Sequence, residues 1–183
     1  DTEGPRHLQF EKYWGGHVFL NDVEMQYIVD NLFIGNKLST AQLVTSDGVR
    51  IDLRNIRSPI LVFCSYGDNI TPPPQALGWI TDLYRNDLDV LGHDQTIVYA
   101  THDSIGHLGI FVSGSVGRKE HQEFAANIDI IDVLPAGIHH MQIDEHPDPV
   151  QEGDPTSDVF LTRIRRSSID EVREIVRPDP END

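Results

Sequence analysis

The chain of 183 residues is long enough for one domain with a sizeable core and too short for two large ones. Its formal charge of −16 argues against a nucleic-acid backbone or an anionic membrane surface as partner, and no apolar run approaches the roughly 20 residues that cross a bilayer. A single cysteine excludes an internal disulfide framework and fits a reducing, cytoplasmic setting.

Apolar residues make up 38% of the chain and the mean hydropathy is −0.34, so part of the chain is expected to be solvated. The opening "DTEGPRHLQF" has neither an initiator Met nor a signal-peptide pattern. The chain is therefore expected to be an excised piece of a longer protein. After this polar lead, Asn21 is placed to cap a helix, with Glu24 at capping-box spacing. Val23, Tyr27, Ile28 and Leu32 then fall on one helical face, and Gly35-Asn36 is a stop signal. "AQLVTSDGVRIDL" carries two short β-prone runs around Asp47-Gly48, the signature of a hairpin.

Residues 59–65, "PILVFCS", form a continuous apolar run suited to a strand buried on both faces of a parallel sheet. The run breaks at "YGDNITPPP", and "PQALGWITDLYRN" has helical spacing at Leu77, Ile80 and Tyr84. "QTIVYA" then gives a second strand, completing the rhythm of a βαβ unit and predicting a parallel pair. Residues 118–134 begin as a helix and are expected to turn extended. The acidic, proline-rich 143–158 segment reads as a linker. "VFLTRIRR" and "SSIDEVREIV" predict a last strand and a helix capped by Ser167 or Ser168. The expected organisation is an α/β catalytic region over 1–142, the linker, and a strand–helix segment over 159–183 that starts a further module.

Open α/β sheets place their sites at the carboxyl ends of strands. Asp68 lies three residues past the first candidate strand and His107 seven past the second. If those strands are neighbours, the carboxylate can orient the imidazole, giving two members of a nucleophile–His–acid triad. An aspartate in a Gly-Asp-Asn turn also serves as a plain turn former, so geometry has to decide. The chain offers no convincing nucleophile. "GSVG" at 114–117 follows the histidine and lacks a preceding strand, and Cys64 sits inside an apolar strand as a small hydrophobe. His102 and Asp103 share the loop of His107 and could adjust it. His139, His140 and His146 with Asp144, Glu145 and Asp148 invite a metal reading, although nothing in the spacing preorganises such a site. Trp14, His17 and Trp79 could line a pocket, with packing the default for both tryptophans.

"YWGGHVFLNDVEMQYIVDNLFIGNKL", "GVRIDLRNIRSPILVFCSYGDNITPP" and "DSIGHLGIFVSG" together resemble the C-terminal half of the catalytic domain of polyhydroxyalkanoate synthases. They are similar also to a bacterial group of synthase-like proteins. The shared pattern runs from about Tyr13 to Gly114. The resemblance implies an α/β-hydrolase core and a Cys–His–Asp triad that moves hydroxyacyl groups from coenzyme A thioesters to a growing polyester. It implies Asp68 as the acid and His107 as the general base, with the cysteine elbow upstream of this chain. No bound cofactor is implied; the coenzyme A thioester is the substrate. The expected partners are that thioester or a polyester, and either the missing N-terminal half or a second copy of the chain. Two departures stand out. Asn69 occupies a position where the synthases often have a histidine, and the spacing from acid to base is lengthened through "RNDLDVLGHD". An esterase or thioesterase of the same fold, and a non-catalytic scaffold, remain the alternatives.

Overall fold

The computed structural model describes residues 4–15, 19–145 and 160–177. The chain divides into two compact units, Asp1–Lys37 and Leu38–Asp183. In the first, α1 spans Gly4–Trp14 and α2 spans Asp22–Ile28, continued by a single π-helical stretch over Val29–Phe33. The capping box forms as its spacing predicts: Glu24 N–H donates to Asn21 Oδ1 at 2.8 Å, and Asn21 N–H donates to Glu24 Oε2 at 3.0 Å. Asn36, with φ of 46°, takes the left-handed conformation that ends the helix. The expected apolar face is not buried, since Val23, Tyr27 and Leu32 are exposed.

The second unit is built on a four-stranded sheet in the order β1-β2-β3-β4. Its strands are β1 (Ile60–Ser65), β2 (Thr96–His102), β3 (Gly137–Glu145) and β4 (Phe160–Arg166). β1, β2 and β3 are parallel, with Ile60 opposite Ile97 and Ile97 opposite Ile138. β4 runs antiparallel to β3. The fold is therefore of the α/β class. Before β1, Val44 bridges Arg50 across the turn at Asp47-Gly48, where Gly48 has φ of 84°, so the predicted hairpin exists in minimal form.

Because side chains alternate along a strand, β2 feeds two cores. Ile97 and Tyr99 meet Cys64 and Ile138 under α3 (Pro73–Leu83), α4 (Asp87–Gly92) and α9 (Ile169–Val176), which contribute Leu77, Ile80, Val90, Ile169 and Val172. Val98 and Ala100 meet Met141 on the other face, with Leu61, Phe63, Phe124, Ile131 and Ile164 around them. That face is covered by a run of short helices: α5 (His107–Val112), α6 (Gly114–Val116), α7 (Gln122–Ala126) and α8 (Ile128–Asp132). The result is a sheet between two helical layers, which is why the central strand reads as an unbroken apolar run.

Three expectations change. Residues 118–134 do not turn extended: helical geometry persists to Asp132, because Ile131 and Leu134 at helical spacing pack onto the sheet. Of the 159–183 segment, the described residues 160–176 pack with the sheet that precedes them. β4 pairs with β3, Ile164 packs on one face, and Ile169 and Val172 are buried on the other, so residues 160–176 complete the same sheet and core. Residues 143–145 of the expected linker belong to β3, which extends through Glu145; residues 146–159 lie outside the described residues. β3 itself was not predicted. Its neighbouring histidines read as ligands, whereas His139, Met141 and Ile143 alternate as a strand requires. Ser168 rather than Ser167 caps α9, accepting Glu171 N–H at 3.2 Å.

β1 forms one rim of the sheet, and among the described residues no strand pairs with its outer edge. β4 forms the other rim, with Arg163, Arg165 and Arg166 exposed along it.

Candidate functional site

β1 and β2 are adjacent, with Ser65 opposite His102, so the loops that leave their carboxyl ends run side by side. The ladder continues one step further: Tyr66 N–H donates to the His102 carbonyl at 2.8 Å. Ser65 Oγ then accepts Gly67 N–H at 3.1 Å and shapes the turn into Asp68. Gly67 lies directly on the opposing loop. A Cβ at this position would stand 2.2 Å from Ser104 O and 2.9 Å from Ile105 N, distances no side chain tolerates. Two backbones thus meet where each strand has just ended.

On this contact the two predicted residues converge. His107 Nδ1 lies 2.9 Å from Asp68 Oδ2. The Asp68 side chain is fully buried, while the imidazole is 30% exposed. Asp68 Oδ1 accepts Ile70 N–H at 2.8 Å and Thr71 N–H at 2.9 Å, and Oδ2 also accepts the Thr71 hydroxyl at 2.7 Å. Burial alone would raise the Asp68 pKa. The Thr71 backbone and hydroxyl donors, the His107 ring and the Ile70 N–H outweigh it and hold the carboxyl well below its ordinary 3.8. An ionised Asp68 fixes the proton of His107 on Nδ1 and leaves Nε2 free to accept one. Thr71 Oγ1 sits 3.2 Å from the same Nδ1, and the Phe111 ring meets the imidazole edge-on at 6.0 Å between centroids. The imidazole is held from two sides.

Thr71 was not singled out from the sequence. Its signal is the Asp-x-x-Thr spacing after a strand, in which an aspartate collects the N–H groups two and three residues on.

The lowered Asp68 pKa has a consequence for stability. Its ionised form stabilises the fold fully at pH values above the ordinary carboxylate range, and that contribution drains away as the pH falls through 3.8 and below. Asp68→Asn keeps the turn acceptor and removes the titration. Urea midpoints of the wild type should therefore fall more steeply than those of Asp68→Asn between about pH 5 and pH 3; parallel slopes would contradict the assignment.

Beside the pair, Leu61, Phe63, Ile110, Phe111 and Phe124 line an apolar groove of about 340 Å³ that reaches Thr71. A larger cavity of about 540 Å³, lined by His102, Lys119, Glu120 and Asp144 among others, includes neither Asp68 nor His107. The lining of the groove likewise includes neither, but its Thr71 and Phe111 touch the His107 ring.

The remaining candidates fall elsewhere. Cys64 is buried within β1, its Sγ 3.8 Å from Ala100 O, and burial with the added charge of Asp68 pushes its thiol up to about 11. It is a core residue. In native protein it should react with Ellman's reagent at least about tenfold more slowly than after unfolding, since only thiolate attacks; equal rates would overturn this. Ser115 of "GSVG" exchanges a hydrogen bond with Ser113 at 2.7 Å. Among the described residues, no hydroxyl or thiol bonds His107 Nε2. His139 and His140 are consecutive on β3 and face opposite sides of the sheet: His139 Nε2 meets Pro135 O at 2.9 Å, and His140 stacks on Tyr99 at 4.7 Å. They cannot close on one ion, and among the described residues no three ligating side chains converge. Asp144 pairs with Arg163 at 3.4 Å; His146 and Asp148 lie outside the described residues. Trp79 packs against the core under α3; His17 and the Trp14 side chain lie outside what is described. Among the described residues no helix is long and apolar enough to cross a membrane.

A mostly parallel α/β sheet with a hydrogen-bonded Asp–His pair at adjacent strand ends defines the class of site. All 183 residues match the family described as "Protein of unknown function (DUF3141)", and the chain belongs to that family. It is 54% identical over its full length to a Rhizobium meliloti protein named "Uncharacterized protein in ackA 5'region" and spans 25% of that relative's length. No solved structure matches the chain.

Proposed function

We propose that this chain is the acid–base half of an acyltransferase resembling the polyhydroxyalkanoate synthases, with an α/β-hydrolase-like core and a substrate of the hydroxyacyl coenzyme A class. The observation that carries the reading is the 2.9 Å contact between His107 Nδ1 and a fully buried Asp68, in the chain order acid then histidine. The nucleophile, a thiol or hydroxyl, comes from another part of the full-length protein. That the chain covers a quarter of its Rhizobium relative is in keeping with this. So are the open rim of β1 and the exposure of Leu108, Phe111 and Val112 on α5, which leave apolar surface for further structure to cover.

In this mechanism His107 Nε2 takes the proton of the nucleophile as it attacks the thioester carbonyl. The C–S bond breaks, and the departing thiolate of coenzyme A leaves with that proton. An acceptor hydroxyl, of a polyester end or of water, then gives its proton to Nε2 and attacks the acyl-enzyme; the bond to the nucleophile breaks, and the nucleophile takes that proton back from Nε2. Asp68 holds the imidazolium through both steps, and the apolar groove beside Thr71 is the place for the acyl chain.

The test is to incubate full-length protein with 3-hydroxybutyryl coenzyme A and follow free thiol and product together. Thiol release with insoluble polyester supports the synthase reading. Release of soluble hydroxy acid transfers the dyad to a thioesterase. No thiol above the buffer rate excludes both.

A further inference from the structure

We infer that His102 is a positioning residue for His107, its Nδ1 being the acceptor that folds residues 103–106 into the loop on which the base is mounted; the inference rests on the reading of Asp68 and His107 as an acid–base pair. His102 is the last residue of β2. Ser104 N–H and Ile105 N–H both donate to its Nδ1, at 3.1 and 3.2 Å. This is the pattern by which Asp68 Oδ1 gathers Ile70 N–H and Thr71 N–H. Two successive strand ends therefore use one device, with a carboxylate after β1 and an imidazole after β2. Acceptance of two N–H groups requires Nδ1 to be unprotonated, so the ring carries its proton on Nε2. Nε2 faces Glu120 Oε1 at 3.8 Å, and Lys119 Nζ lies 3.9 Å from the same oxygen. Glu120 is buried, and its second oxygen has no hydrogen-bond partner among the described residues. A carboxylate on that side favours the Nε2–H tautomer, the one that leaves Nδ1 free to hold the loop.

What the loop does follows from its neighbours. The Ser104 carbonyl and Ile105 nitrogen are the atoms that press on Gly67, one residue before Asp68. His107 begins α5 two residues after Ile105. The peptide units that His102 holds are thus wedged between the acid and the base, and a shift in them opens the 2.9 Å contact.

The experiment uses full-length protein carrying His102→Ala and His102→Asn, since the asparagine Oδ1 sits close to where Nδ1 was and can accept the same two N–H groups. Hydrogen–deuterium exchange at the Ser104 and Ile105 amides should quicken by about tenfold or more in His102→Ala and return toward wild type in His102→Asn. With 3-hydroxybutyryl coenzyme A as probe, His102→Ala should lower kcat by about tenfold with KM nearly unchanged, and His102→Asn should restore kcat. If His102→Ala does not fold, His102→Gln, whose acceptor stands one bond farther out, takes its place. Exchange unchanged in the first variant, or no better in His102→Asn, overturns the inference. A wild type that does not turn over the thioester removes the acid–base reading instead, and the exchange result alone then decides the role of His102.

Discussion

On the proposed acyl-transfer mechanism, full-length protein with His107→Ala is expected to lose acyl transfer from a hydroxyacyl thioester by about 10³-fold or more, the scale at which removal of a general base acts on an activated nucleophile. It should remain folded. The imidazole is 30% exposed, and when it is removed the buried Asp68 carboxylate keeps its three other donors, the Ile70 and Thr71 N–H groups and the Thr71 hydroxyl. No charge is left bare, so the stability cost should stay near 1 kcal/mol. Steady-state rates beside a urea titration check both halves, and a variant with kcat within threefold of wild type would falsify the role of His107. Asp68→Asn should fall in the same direction, because an amide facing Nδ1 donates where the carboxylate accepted and turns the imidazole toward its other tautomer.

Gly67→Ala is expected to cost more in stability than any change at the pair itself, about 2–4 kcal/mol, as overpacking against backbone allows no side chain to swing aside. The cause is proximity: the added methyl would stand 2.2 Å from Ser104 O and 2.3 Å from Ser104 C. Gly67 has no left-handed φ, so the effect is one of space and Gly67→Ser should behave alike. The urea midpoint should fall with little change in slope. Because the loops that carry Asp68 and His107 must part to admit the methyl, activity should fall further than the loss of folded protein explains. A variant within 0.5 kcal/mol of wild type would contradict the close approach.

Much of this site was legible in the residues, and the reason is local. Asp68 and His107 each follow an apolar run with no competing periodicity, and parallel strands joined by one helix place their following loops together. The capping box at Asn21 and Glu24 was legible for the same reason, since all its partners lie within four residues. Gly67 was not read in its role, because that role depends on the distance between two loops, which no single stretch encodes. Thr71 was missed although its Asp-x-x-Thr spacing is local, and His102 was read only as a neighbour that could adjust His107. β3 escaped because His139 and His140 suggested coordination. One is a buried side chain bonded to Pro135 O and the other is stacked on Tyr99, so imidazoles here serve packing. The start of the 143–158 segment was placed too early, because acidic composition hid the strand alternation that runs through Glu145.

The two rims of the sheet differ in how they would meet another strand. Along β4, Arg163, Arg165 and Arg166 would have to be stripped of water before another strand could add, and like charges would repel an identical rim. Along β1 the sequence is Ile-Leu-Val-Phe-Cys-Ser, with no charge and no proline. Among the described residues, the β1 edge is thus the one chemically suited to receive a further strand, and the β4 edge is the one that resists it.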